Sequence, residues 1–117
     1  MPNNLISESY EVEKDNLIYD YLRLIDAKNV MVQVPQGKGT LKRGQLIDFD
    51  ENKYQPHKSG GTANCIVAAD VSYSDEETEA AVSVYISGDF RTEACITDVS
   101  VEDSDIENLR SSGIILK

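Results

Sequence analysis

The sequence predicts a mainly β domain that closes on one short α-helix near its end. Three observations carry this prediction. Two apolar runs, CIVAADVSY at 65–73 and AAVSVYIS at 80–87, alternate with a period of two, the repeat of a strand with one buried face. Glycine, proline and short polar clusters interrupt the chain at Pro35, Gly37, Gly39, Glu51 to Lys53 and Ser59 to Gly61, where strands must turn. Beyond Val101 the apolar spacing lengthens to that of a helix. At 117 residues the chain has the length of one domain with a single core.

In chain order, residues 1 to about 28 differ in character from the rest, and the arm is 1–15. After Pro2, Asn3 and Asn4, the stretch SESYEVEKD sets Tyr10 and Val12 between charged neighbours without a turn signal. That is the pattern of a flexible, extended N-terminal arm, which becomes a strand once a partner edge is supplied. Residues 16–117 form one domain. Within it, 16–25 is ambiguous: Leu17, Ile18, Tyr21, Leu24 and Ile25 fall at helical spacing, whereas the tyrosines and β-branched residues suit an extended run. Val30, Val32 and Val34 then line one face of a strand that Pro35 and the Gly37/Gly39 pair break.

The next run, TLKRGQLIDFD, leads through ENK to Tyr54 and Pro56, the outline of a hairpin in which Gly44 marks a bulge. Past the corner at Gly60 and Gly61 come the two alternating runs, the first expected as a single strand with Cys65, Val67, Ala69 and Val71 on one face. They are separated by the solvated loop SDEETE. Ser104 with Glu107 three residues on is a capping-box signature, Ile106 and Leu109 share a face, and Gly113 is placed to end the helix in the left-handed conformation. The final Ile114, Ile115 and Leu116 are too apolar to remain in water and should dock as a last strand.

Charge and chemistry narrow the function. Lys and Arg number 11 against 21 Asp and Glu, a formal net charge of -10 that opposes binding to nucleic acid or to an anionic membrane. No basic start leads into an apolar run and no apolar stretch approaches a bilayer's thickness, so a cytoplasmic site of synthesis is expected. His57, the single histidine, stands in a turn-rich stretch without a recognisable nucleophile and reads as a solvated loop residue. Gly39 and Gly44 have the spacing of a phosphate-binding loop, but Gln45 and Leu46 occupy the places of the lysine and the hydroxyl residue. Cys65 and Cys95 lie in apolar runs and are expected as small buried hydrophobes. No catalytic residue, cofactor-binding residue or metal ligand is assigned, and an enzyme is not expected. The alternative function is a small acidic β domain that binds a cation or small ligand. It draws on Asp48, Asp50 and Asn52, which repeat the first half of a calcium loop before Lys53 and Ser59 break the pattern, and on the acidic runs near 75–77 and 102–105.

Read in order, DNLIYDYLRL, LKRGQLI, the hairpin into Tyr54-x-Pro56, the Gly-Gly corner, CIVAADV, an acidic loop, AAVSVYISGDFRTEACI, a helix and LRSSGIILK resemble the lambda-type phage head decoration protein family. The likeness runs over about residues 15–117, and VYISGDFR and LRSSGIILK are its most distinctive pieces. It implies a compact bent β-ribbon, β-clip-like, with one short C-terminal helix, and an extended course for 16–25 against the helical spacing. It also implies a structural virion protein, made in the host cytoplasm and held as a homotrimer on the outer surface of an icosahedral capsid. There it would clamp the phage major capsid protein and stabilise the expanded shell, with no cofactor. The arm would add a strand to the capsid, which makes Leu5, Ile6, Tyr10 and Val12 the expected capsid contacts. Tyr85 and Phe90 are large enough to anchor the trimer contact.

Overall fold

Runs rich in Val, Ile and Tyr become strands because branched and aromatic side chains fit a pleated, half-buried surface. The computed structural model describes residues 16–20, 25–35, 37–96 and 101–117. Among them the strands are β1 (Asp26–Gln33), β2 (Gly39–Leu41), β3 (Leu46–Asp50), β4 (Lys53–Pro56), β5 (Ala63–Val67), β6 (Val71–Tyr73), β7 (Glu79–Phe90) and β8 (Ile114–Leu116). A single 3-10 turn, Thr92–Ala94, and one helix, α1 (Asp103–Ser112), lie between β7 and β8. The protein is mainly β with one C-terminal helix, as the sequence predicts.

Five strands return on themselves. β7 pairs antiparallel with β1 through Val30↔Val82 and Val32↔Ala80, and with β5 through Ile66↔Tyr85 and Val67↔Val84. β5 continues to β3, β3 to β4, and β4 meets β1 in parallel at Val32↔Tyr54, which closes the ring β1-β4-β3-β5-β7. These registers put Val32, Ile47, Cys65, Val67, Val82 and Val84 on the inward face, and all six are buried. Leu46 and Ile66 point the other way and are buried as well, because α1 lies against β5 and contributes Leu109. Strands covered on both faces show continuous apolar runs, which is why LI and CIV break the alternation there.

Several expectations are corrected. Residues 65–73 are not one strand: the chain turns at Ala68 to Asp70, Ala69 is exposed, and β6 leaves the ring to pair with β2. Arg43 holds that bend, since its backbone N–H donates to Asp70 Oδ1 at 2.7 Å and its guanidinium donates to the Ala68 carbonyl at 2.8 Å. Gly44 is not a bulge but the left-handed end of the turn between β2 and β3 (φ 97°), with Ala94 O 2.8 Å from where a Cβ would stand. The irregularity falls instead between Ile47 and Asp48. Among the described residues of 16–25 there is no helix; Ile18 bridges to Phe90, and 21–24 lie outside the description.

The helix starts earlier than its sequence signature. Glu102 is the N-cap and Asp105 completes the capping box, so Ser104 and Glu107 are both inside the helix and exposed. The same three-residue spacing of acceptors is met one pair upstream, where Asp105 is also fixed by burial. Gly113 ends the helix at φ 109° as expected, and the chain passes directly into β8. β8 lies parallel to the end of β7, with Gly88↔Ile114, Asp89↔Ile115 and Phe90↔Leu116.

Candidate functional site

The only histidine is a buried one. A two-residue turn at Glu51 and Asn52, both with positive φ (52° and 64°), joins β3 to β4 and sets Ile47 opposite Pro56. One step further His57 donates its backbone N–H to Leu46 O at 3.0 Å, which puts its ring on the same side of the sheet as Asp48. His57 is 5 % exposed, so its expected place in a solvated loop is wrong. Its Nδ1 lies 2.6 Å from Asp48 Oδ1, and its Nε2 lies 3.2 Å from Asp105 Oδ2. The second contact is within ion-pair reach but is not aligned as a hydrogen bond.

Both carboxylates have further partners. Asp48 Oδ2 accepts the Lys58 backbone N–H at 3.1 Å, and Asp105 Oδ2 accepts the Glu102 N–H at 2.9 Å across the helix start. β3, the segment after β4 and α1 therefore meet at one sealed polar cluster. An imidazole between two carboxylates has the composition of a catalytic dyad with an orienting group, but here it is closed over and holds three elements together.

The half calcium loop does not assemble. Asp48 is turned inward to His57, Asp50 Oδ2 accepts the Thr62 N–H at 3.3 Å, and Asn52 sits exposed on the turn. Among the described residues no group of three or more His, Cys, Asp or Glu side chains is arranged to hold a metal ion. Cys65 is buried and Cys95 half-buried, both as free thiols, and burial pushes each up to about 12. At neutral pH they are protonated and poorly nucleophilic.

Two surface features remain. Where the described residues begin, Leu17 and Ile18 are buried, and Arg91 donates its N–H to Leu17 O at 2.8 Å while Tyr19 donates its N–H to Asp89 O at 2.9 Å. Tyr19 is 46 % exposed, and its ring is flanked by Arg91 at 5.0 Å and Lys117 at 5.2 Å, with Lys117 Nζ also 3.1 Å from Asp89 Oδ2. The chain thus enters the body beside its own last residues. Tyr85 and Phe90 do come together, with ring centroids 5.1 Å apart. Phe90, however, is fully buried, and so supplies core instead of an exposed anchor. Tyr85 is half-buried, its hydroxyl taking a hydrogen bond from Arg43 Nη1 at 2.5 Å. Leu5, Ile6, Tyr10 and Val12 lie outside the described residues.

No protein-family model and no curated protein matches the chain.

Proposed function

We propose that this protein is a structural component of a phage particle, which binds as a homotrimer to the outer surface of an icosahedral capsid and stabilises the expanded shell. One observation carries the proposal. The two stretches most distinctive of the decoration protein family, VYISGDFR and LRSSGIILK, are neighbours in space, joined as the parallel pair β7–β8 with left-handed glycines at Gly88 (φ 133°) and Gly113 (φ 109°). A likeness that rests on the order of pieces along a chain gains support when its separated pieces pair with each other. Buried, closed strands with a sealed histidine also suit a rigid body better than a catalyst.

The partners of such a protein are the major capsid protein and two further copies of itself. Attachment runs through residues 1–15, ahead of the point where Ile18 bridges to Phe90 at the end of β7; an extended arm adding a strand to a capsid sheet uses backbone hydrogen bonds for affinity and alternate side chains for specificity. Three arms on one trimer bind together, so each can be weak while the whole stays fixed.

Deleting residues 1–14 tests this division of labour. The truncated protein is expected to keep the circular dichroism and melting behaviour of a folded β body and to lose binding to expanded capsids. Undiminished capsid binding by the truncated protein would remove the arm from the mechanism.

A further inference from the structure

We propose that Tyr19, set between Arg91 and Lys117, is a second point of attachment besides the arm, and that it takes an acidic segment on the outer surface of the capsid protein. This rests on the capsid reading given above. Tyr19 is held by its backbone and left open at its side chain: its N–H is fixed to Asp89 O at 2.9 Å and the two residues before it are buried, yet Tyr19 itself is 46 % exposed. A large aromatic side chain on a fixed backbone has little freedom to lose on binding. For that reason tyrosine, together with arginine, is enriched among the residues that carry most of an interface's energy.

Charge defines the partner. The Arg91 guanidinium stands 5.0 Å and the Lys117 ammonium 5.2 Å from the centre of the Tyr19 ring. Lys117 already has a counter-charge, the buried Asp89 carboxylate at 3.1 Å, and its carbonyl oxygen accepts from the Thr92 N–H at 2.9 Å and the Thr92 hydroxyl at 3.0 Å. Arg91 has none: among the described residues no carboxylate lies within ion-pair distance of it, and its buried Nε has no hydrogen-bond partner. The acidic residues adjacent in sequence, the half-buried Asp20 and the exposed Glu93, do not pair with it. A chain with 21 acidic and 11 basic residues thus leaves a guanidinium open beside an exposed aromatic ring. A carboxylate meets a guanidinium through two parallel hydrogen bonds, so a segment carrying Asp or Glu fits this site. A nucleic acid does not, because its many phosphates would meet the net charge of -10 around so small a cationic patch.

Position ties the site to the arm. Residues 1–15 join the described chain at Asn16, three positions before Tyr19, and Ile18 between them bridges to Phe90. Two weak contacts so close along one chain reinforce each other once either has formed.

The test uses the full-length protein with the cognate empty, expanded capsids, co-sedimented at about 50 mM and about 300 mM salt, a range over which screening between exposed charges changes strongly. Arg91→Gln and Tyr19→Ala are each expected to weaken binding by about tenfold at the lower salt. Raising the salt should cost R91Q less affinity than the wild type, while Arg91→Lys, which keeps the charge, should retain the wild-type salt dependence. Wild-type affinity in both R91Q and Y19A would overturn the proposal and leave the capsid reading standing. So would an unchanged salt dependence in R91Q, which would remove the acidic partner. A wild-type protein that does not bind capsids would overturn both. If R91Q does not fold, as circular dichroism would show, Y19A at its exposed position still decides.

Discussion

At Gly61 there is no room for even a methyl group. A Cβ there would stand 1.8 Å from Asp48 Oδ2 and 2.7 Å from its carboxyl carbon, and Asp48 cannot step aside because it is fixed by His57 and the Lys58 N–H. Gly61→Ala should therefore destabilise the fold by about 2–3 kcal/mol, the range of overpacking beside a buried polar cluster. Urea unfolding would show this as a lower midpoint at unchanged slope; a shift worth less than about 0.5 kcal/mol, the size of a neutral surface change, would mean that the carboxylate is not pinned. Part of this cluster was legible in the sequence. Once the ENK turn is read as a hairpin, pairing Ile47 with Pro56 sets His57 opposite Leu46 and diagonal to Asp48, on one face. Asp105 was not legible, because it arrives from a helix 57 positions after Asp48 and only tertiary packing brings it there. Phe90 misled for a similar reason: a large aromatic suggests an anchor, and the sequence does not tell an exposed ring from one buried against Leu116 and Tyr85.

At the scale of elements, α1 is attached by very little. Its mean composition is polar, and Leu109 is its single fully buried apolar side chain, set against β5 with Ile106 half-buried beside it. A ten-residue helix does not hold itself together in water, so its persistence depends on that packing and on the capping box. Leu109→Ala should cost about 3 kcal/mol and lower the melting temperature with a loss of helical signal; retention of wild-type stability would place the helix's support elsewhere. The helix and β8 were legible because a change of period, a left-handed glycine and an apolar tail all indicate the same thing. The end of β5 was not. CIVAADVSY keeps strand alternation through a bend that Arg43 and Asp70 impose from outside the run, and alternation carries no trace of a partner's hydrogen bonds.

For the whole molecule, the described residues form a closed ring of strands around one buried core. β7 is its spine: β1 runs along it, β5 crosses to it at Ile66 and Val67, β8 extends it, and the chain's entry at Ile18 is stitched to its end. A closed ring leaves few sheet edges for unintended pairing, which the proposed capsid-binding role would require before assembly. Net charge of -10 favours solubility further and, in the proposed role, suits a face turned away from packaged DNA. The central claim is attachment to a capsid, and co-sedimentation of the full-length protein with the cognate empty, expanded capsids tests it most directly. Binding should saturate at a fixed stoichiometry that is a multiple of three per local three-fold position. Folded protein that stays wholly in the supernatant, or that pellets in proportion to its concentration without saturating, would contradict the claim.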